Sequence, residues 1–143
     1  MASVEVRPKA SRPDGGRSSA SRDAMTRAPR RHLSIHRRGL ERAAAHYLHD
    51  RCYERRSAAR VSDFAQYLEL TAPYLSRIAS EVLGMSLRDF LRKQQLERAA
   101  QLLRIGMDIP EVALRAGFGT VSTLYRWFHI GFGMTPGEFR ARL

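Results

Sequence analysis

Two stretches of this 143-residue chain repeat the same apolar phase, and that repeat restricts the fold more than any other feature of the sequence. VSDFAQYLEL at 61–70 and IPEVALRAGF at 109–118 align at a constant offset of 48, which pairs Val61 with Ile109, Phe64 with Val112, Ala65 with Ala113 and Leu70 with Phe118. Beyond the turn that follows, the offset is 49, and Leu75 pairs with Leu124, Arg77 with Arg126, Ile78 with Trp127 and Ala79 with Phe128. The second turn is therefore one residue longer. Apolar residues at i, i+3, i+4 and i+7 mark one face of an α-helix. Each copy is expected to be a short helix, a tight turn and a second helix.

The rest of the chain supports an all-α fold. Leu40, Ala43, Ala44, Tyr47 and Leu48 form a helical stripe that the charged run ERRSAAR interrupts, and Ser62-Asp63 offers capping oxygens to the short helix after it. Thr71-Ala72-Pro73 combines a capping hydroxyl with a proline in the first turn, where its missing N–H is not needed. Gly84 is placed to stop that helix, and Ser86 with Asp89 resembles a capping box opening a long helix from Leu87 to about Arg104. Asp108 with Glu111 forms a similar start before the second repeat. There Gly117 ends the short helix, Thr120 or Gly119 begins the next with Leu124, Trp127 and Phe128 inward, and Gly131 or Gly133 ends it. Thr135-Pro136-Gly137-Glu138 opens a final helix. The expected organisation is a disordered basic arm over 1–37 and a helical domain over 38–143. Within that domain the first helix-turn-helix covers about 61–82, the linker helix about 86–104, the second helix-turn-helix about 109–130 and the last helix about 136–142.

Charge narrows the choice of partner. The chain carries 25 Lys and Arg against 14 Asp and Glu, a net charge of +11, which favours polyanions. Residues 1–38 hold 10 basic and 3 acidic side chains; rich in Arg, Ser, Pro and Gly, they lack the apolar surface needed to offset the entropy of ordering. The single cysteine, Cys52, supplies neither an internal disulfide nor a multi-thiolate metal site and reads as a small helix residue in a reducing compartment. No stretch approaches the roughly 18 apolar residues of a membrane span, and MASVEVRPKA lacks the apolar core of a signal peptide, so the expected location is the cytoplasm. The histidines and carboxylates form no HExxH pattern or other recognisable catalytic arrangement, and no phosphate-binding glycine loop is present. Neither enzyme activity, a metal nor a cofactor is expected.

A short helix, a tight turn and a second helix is also the arrangement whose second member enters the DNA major groove, although a generic helical hairpin has the same periodicity. The side of the later helix opposite Leu124 and Phe128 presents Ser122, Arg126 and His129, with Tyr125 on its flank and Val121 at its N-terminal edge. In the earlier copy the same face presents Pro73, Ser76, Arg77 and Ser80. Arginine makes bidentate contacts to guanine, which single out Arg77 and Arg126; the alternative for each is a phosphate contact or a solvated charge. His129 reads as a phosphate neighbour, and Val121 either covers the core edge or touches a thymine methyl. A linker of about 18 helical residues reaches about 27 Å, near the ~34 Å that separates successive major-groove segments on one side of DNA.

From about Leu40 to Leu143 the chain resembles the DNA-binding domain of the AraC/XylS family of bacterial transcription regulators. The resemblance is carried by IPEVALRAGF followed by STLYRWFHIGFGMTPGEFR, with YLSR and LERAAQLL as landmarks of the first half. It implies a transcription regulator whose recognition helices, about 73–81 and 121–129, enter adjacent major-groove segments of double-stranded DNA, with base-contact roles for Ser76, Arg77, Ser122 and Arg126. Several positions depart from the family pattern: Glu69 for a turn glycine, Ala79 for phenylalanine, Ser80-Glu81 for a basic pair, Gln95 for arginine and His129-Ile130 for another basic pair. Glu69 implies either a different first turn or a strained left-handed residue. The departures imply a thinner phosphate grip, which the basic arm is expected to supplement. The ~37 polar residues at the start are too few for a ligand-sensing domain, so the chain resembles single-domain members. The rival reading is a protein-binding module that contacts RNA polymerase or another regulator and binds DNA weakly.

Overall fold

The computed structural model describes residues 35–143, and the expected basic arm lies almost wholly outside them. Among the described residues every regular element is helical. The elements are α1 (Arg37–Tyr47), a π-helical segment (Leu48–Tyr53), α2 (Val61–Tyr67), α3 (Ala72–Leu83), α4 (Leu87–Arg104), α5 (Ile109–Arg115), α6 (Val121–Phe132) and α7 (Pro136–Ala141). No described helix is long and apolar enough to cross a membrane, and no described group of three or more His, Cys, Asp or Glu side chains is arranged to hold a metal ion.

The chain divides into two compact units. One comprises the described residues up to Ala43 together with Val61–Leu87; the other comprises Ala44–Arg60 and Arg88–Leu143. In the first, α2 and α3 bury Phe64, Ala65, Leu75 and Ala79, with Leu40 of α1 also fully buried. The Arg37 guanidinium donates to the Leu83 carbonyl at 3.4 Å. The Thr71 hydroxyl caps α3 by accepting from Tyr74 N at 3.3 Å, and Gly84 closes the helix in the left-handed conformation at φ 70°. Between α2 and α3, Glu69 has φ 58°, so the turn retains the left-handed geometry and places a non-glycine residue in it.

The second unit repeats this design in the same lengths. Like α2, α5 has 7 residues, and α3 and α6 have 12 each. The Leu70 N to Ala65 O hydrogen bond of the first turn recurs as Phe118 N to Ala113 O in the second. Gly117 (φ 77°) and Gly119 (φ 83°) take the left-handed positions of the longer turn. Thr120 caps α6 through Thr123 N at 3.1 Å, Gly133 ends it at φ 73°, and Thr135 with Glu138 forms a complete capping box on α7. The expected box at α5 is not made. Asp108 occupies the N-cap position without a side-chain capping bond, and Glu111 is drawn instead to Arg115, 2.9 Å away.

The core of this unit is built from Ala99 and Leu103 of α4, Val112, Ala113 and Ala116 of α5 and its end, Phe118 of the turn, and Leu124 and Phe128 of α6. Trp127, expected to point inward with these, is only half-buried and packs against the edge of the cluster. Leu48 and Cys52 of the π-helical segment are buried in the same unit. Ala59 N then donates to Gly117 O at 2.8 Å, which attaches this upstream segment to the turn between α5 and α6.

Candidate nucleic-acid interface

The outward face of α6 follows from its apolar spacing. Leu124 and Phe128 are fully buried, so at about 100° per residue the opposite side carries Ser122, Arg126 and His129, all exposed, with Val121 exposed at the N-terminal edge and Tyr125 half-buried on the flank. Fixing Leu75 and Ala79 inward does the same for α3. Pro73, Arg77 and Ser80 are exposed there and Ser76 is half-buried. All nine residues singled out in the sequence therefore lie on the recognition-type helices with side chains at least partly accessible, five in the second unit and four in the first.

The two faces differ in electrostatics. Arg77 lies 3.5 Å from the Glu81 carboxylate, and its guanidinium carbon is 5.3 Å from the centre of the Tyr74 ring, so its charge is paired within α3. Arg126 belongs to a group of cations. Its guanidinium carbon is 5.4 Å from the Trp127 ring centre, and that of Arg92, from α4, is 4.1 Å from the same centre. Burial lowers the pKa of Arg92 from its ordinary value, and the positive charges of Arg126 and Arg88 lower it further. Arg88, Arg92 and Arg126 thus concentrate positive charge beside α6.

Sequence reasoning missed Arg88 and Arg92, because α4 was read as a connector. Their i, i+4 spacing puts both on one face of α4, but spacing alone does not show that this face meets Trp127 of α6. It also misassigned Gln95. Counted there as a basic residue lost from a phosphate grip, Gln95 is only 2% exposed. Its Nε2 donates to Gly117 O at 2.8 Å, and its Oε1 accepts from Arg92 Nη1 at 3.2 Å. A buried side chain with both ends of its amide engaged has no access to a phosphate. It instead holds the α5–α6 turn on the carbonyl that Ala59 N also uses.

Comparison with known proteins places this geometry. A helix-turn-helix domain family matches residues 64–142, more than half of the chain. The probable transcription factor PqrA of Proteus vulgaris is 31% identical over 88 residues, which cover 61% of this chain and 72% of that protein. The uncharacterized HTH-type transcriptional regulator YfiF of Bacillus subtilis is 31% identical over 83 residues, covering 57% of this chain and 26% of YfiF, so the chain spans about a quarter of that relative's length. The DNA-binding domain of AdpA, solved in complex with a target DNA, shares the fold with a TM-score of 0.57 and 23% identity, covering 72% of this chain and 90% of that one. With its doubled helix-turn-helix, its threonine-capped α3 and α6 and these relatives, the chain belongs to the AraC/XylS type of helix-turn-helix family.

Proposed function

We propose that this chain is a sequence-specific DNA-binding transcription regulator, with α3 and α6 as recognition helices that enter adjacent major-groove segments of double-stranded DNA. The observation that carries this reading is the repetition of one helix-turn-helix twice in identical element lengths, each copy with an exposed polar face containing an arginine at the same register position. The AdpA domain, which shares the fold, was solved on its target DNA. In this reading Arg77 and Arg126 contact base edges, Ser76, Ser80, Ser122 and Tyr125 complete the groove faces with adaptable hydrogen bonds, and His129 neighbours a phosphate. Pro73 and Val121 supply the apolar edge at each helix start. Arg88 and Arg92 are phosphate contacts flanking α6.

The role is one of binding, without catalysis. A regulator of this kind acts through the transcription machinery, so RNA polymerase is the second partner we propose. The reading places the chain in the cytoplasm.

Selection of binding sites from a random oligonucleotide pool by the purified chain tests the proposal. An asymmetric enriched motif spanning two adjacent major grooves is the expected result, and recovery of no motif would reject it. Arg126→Ala is expected to cost about 1–3 kcal/mol at one or two base pairs, relaxing preference there; uniform weakening across sequences would reassign Arg126 to phosphate. Arg92→Ala is expected to weaken binding to all sequences and to reduce the salt slope by about 1.

A further inference from the structure

The first recognition helix carries a carboxylate that the reading above does not use. Glu81 lies in the last turn of α3, and its Oε2 is 3.5 Å from Arg77 Nη1, with both side chains 59% exposed. On the other side of Arg77, one turn earlier, is the Tyr74 ring, 5.3 Å from the guanidinium carbon. The three residues follow one row along the helix surface.

Helix stability does not account for this acid. An acid placed four residues after its base is the weaker of the two orders, and a negative charge in the last turn opposes the helix dipole. An exposed pair of this kind adds little to folding in any case. The matching register position of α6, four residues after Arg126, is Ile130, which is 64% exposed. The two recognition helices therefore carry the same arginine and differ in what stands next to it.

We propose that Glu81 is a specificity-determining residue of the first recognition helix, forming with Arg77 a joined donor and acceptor unit that reads a G·C pair. The inference rests on the DNA-binding reading. Helical side chains lean toward the N-terminus, which puts the Glu81 carboxylate over the turn of Arg77. Wherever the Arg77 guanidinium reaches in a major groove, an acceptor stands beside it. Across its major-groove edge a G·C pair presents two acceptors, guanine N7 and O6, and then one donor, the cytosine N4 amino group. Arg77 supplies two donors and Glu81 the acceptor, in that order. An A·T pair presents an acceptor, a donor, an acceptor and a methyl group, so the carboxylate would meet thymine O4 or the methyl with nothing to accept. Away from such a pair the carboxylate is repelled by the DNA backbone, which penalises wrong sequences.

The test is site selection and titration with the full chain and two variants, Glu81→Ile and Glu81→Gln, with circular dichroism to verify that helix content is unchanged. Ile reproduces the α6 arrangement, and Gln keeps an acceptor oxygen without the charge. The wild-type chain is expected to show one base pair of the first half-site where G·C is preferred by on the order of tenfold. Glu81→Ile is expected to lose that preference and to leave the positions read by α6 unaltered, whereas Glu81→Gln retains most of it. Equal tightening on all sequences in both variants would show that the carboxylate acts only by charge, and unchanged preferences would show that it contacts no base; either result overturns the proposal and leaves the DNA-binding reading standing. Failure of the wild-type chain to select any sequence would instead remove the reading on which this one rests.

Discussion

The first and second helix-turn-helix copies share their lengths, their threonine caps and their terminal glycines, yet they differ where support and charge are concerned. At the centre of the second, Phe128 packs against Phe132 at 4.5 Å and edge-on to Phe139 at 5.3 Å between ring centres, where the first has Ala79. The second turn uses two glycines, and its Gly117 carbonyl accepts from both Ala59 N and Gln95 Nε2; the first turn strains Glu69. Cations gather beside α6, while the arginine of α3 is paired with Glu81. One backbone plan can thus carry an aromatic centre and a cluster of cations, or a small centre and a paired arginine, by changing residues that leave element lengths untouched.

The sharpest break in this comparison is a core truncation. Phe128→Ala removes a fully buried ring and two aromatic partners and is expected to cost about 3–5 kcal/mol, whereas Ala79→Gly at the matching position costs about 1 kcal/mol. Urea unfolding of the two variants measures both, and equal losses would mean that the second copy does not depend on its aromatic centre. The turns give the next largest contrast, with opposite signs. Gly117→Ala meets a left-handed penalty of about 1–2 kcal/mol. It also places a Cβ 2.7 Å from Leu48 Cδ2, so it must displace that side chain. Glu69→Gly relieves the same conformational penalty in the first turn and is expected to stabilise by up to about 1 kcal/mol, after the greater chain entropy of unfolded glycine is subtracted. A destabilising Glu69→Gly would show that the Glu69 side chain contributes contacts that outweigh its backbone strain.

Local chemistry was legible in the sequence, and chemistry between distant segments was not. The apolar phase fixed which faces of α3 and α6 turn outward, and Thr71, Thr120 and Thr135 cap where hydroxyls precede helical stripes. The single-residue difference between the turns was visible as the change of offset from 48 to 49. Periodicity reports that a position faces a core, however, and not which partner it meets. That is why the π-helical segment and Ala58–Ala59 gave no sign that they would pack beside Gly117 and Gly119. Gln95 and Arg92 were hidden for the same reason, since their partners lie 22 and 35 residues away. Asp108 shows the opposite limit. Its motif is correct, but its side chain makes no capping bond, and the Glu111 carboxylate that would supply the other half of the box is engaged by Arg115.

That last difference yields a smaller prediction within the second unit. Thr120→Ala removes a working cap and is expected to cost about 1 kcal/mol, while Asp108→Ala changes stability by less than about 0.5 kcal/mol. Thermal unfolding of the pair separates them, and equal losses would mean that Asp108 caps α5 in solution.

The smallest expected effect concerns Glu111 itself. The Arg115 guanidinium donates to its carboxylate at 2.9 Å, also donates to the Tyr53 hydroxyl at 3.0 Å, and lies over the Tyr53 ring at 4.2 Å. The hydrogen bond from Arg115, and after it that from Tyr53, hold the Glu111 pKa below the ordinary value of 4.5. A carboxylate whose folded pKa is depressed contributes stability that is present above its unfolded pKa and is lost as pH falls through the folded one. Glu111→Gln is therefore expected to flatten the acid side of the stability profile slightly below about pH 4.5 and to leave the neutral side almost unmoved. The matching positions of α2 hold Asp63 and Tyr67, an acid and a phenol, so that helix cannot form the same pair of opposite charges. Superimposable acid profiles for the wild-type chain and Glu111→Gln would show that the Arg115 pair does not set the acid response of the second unit.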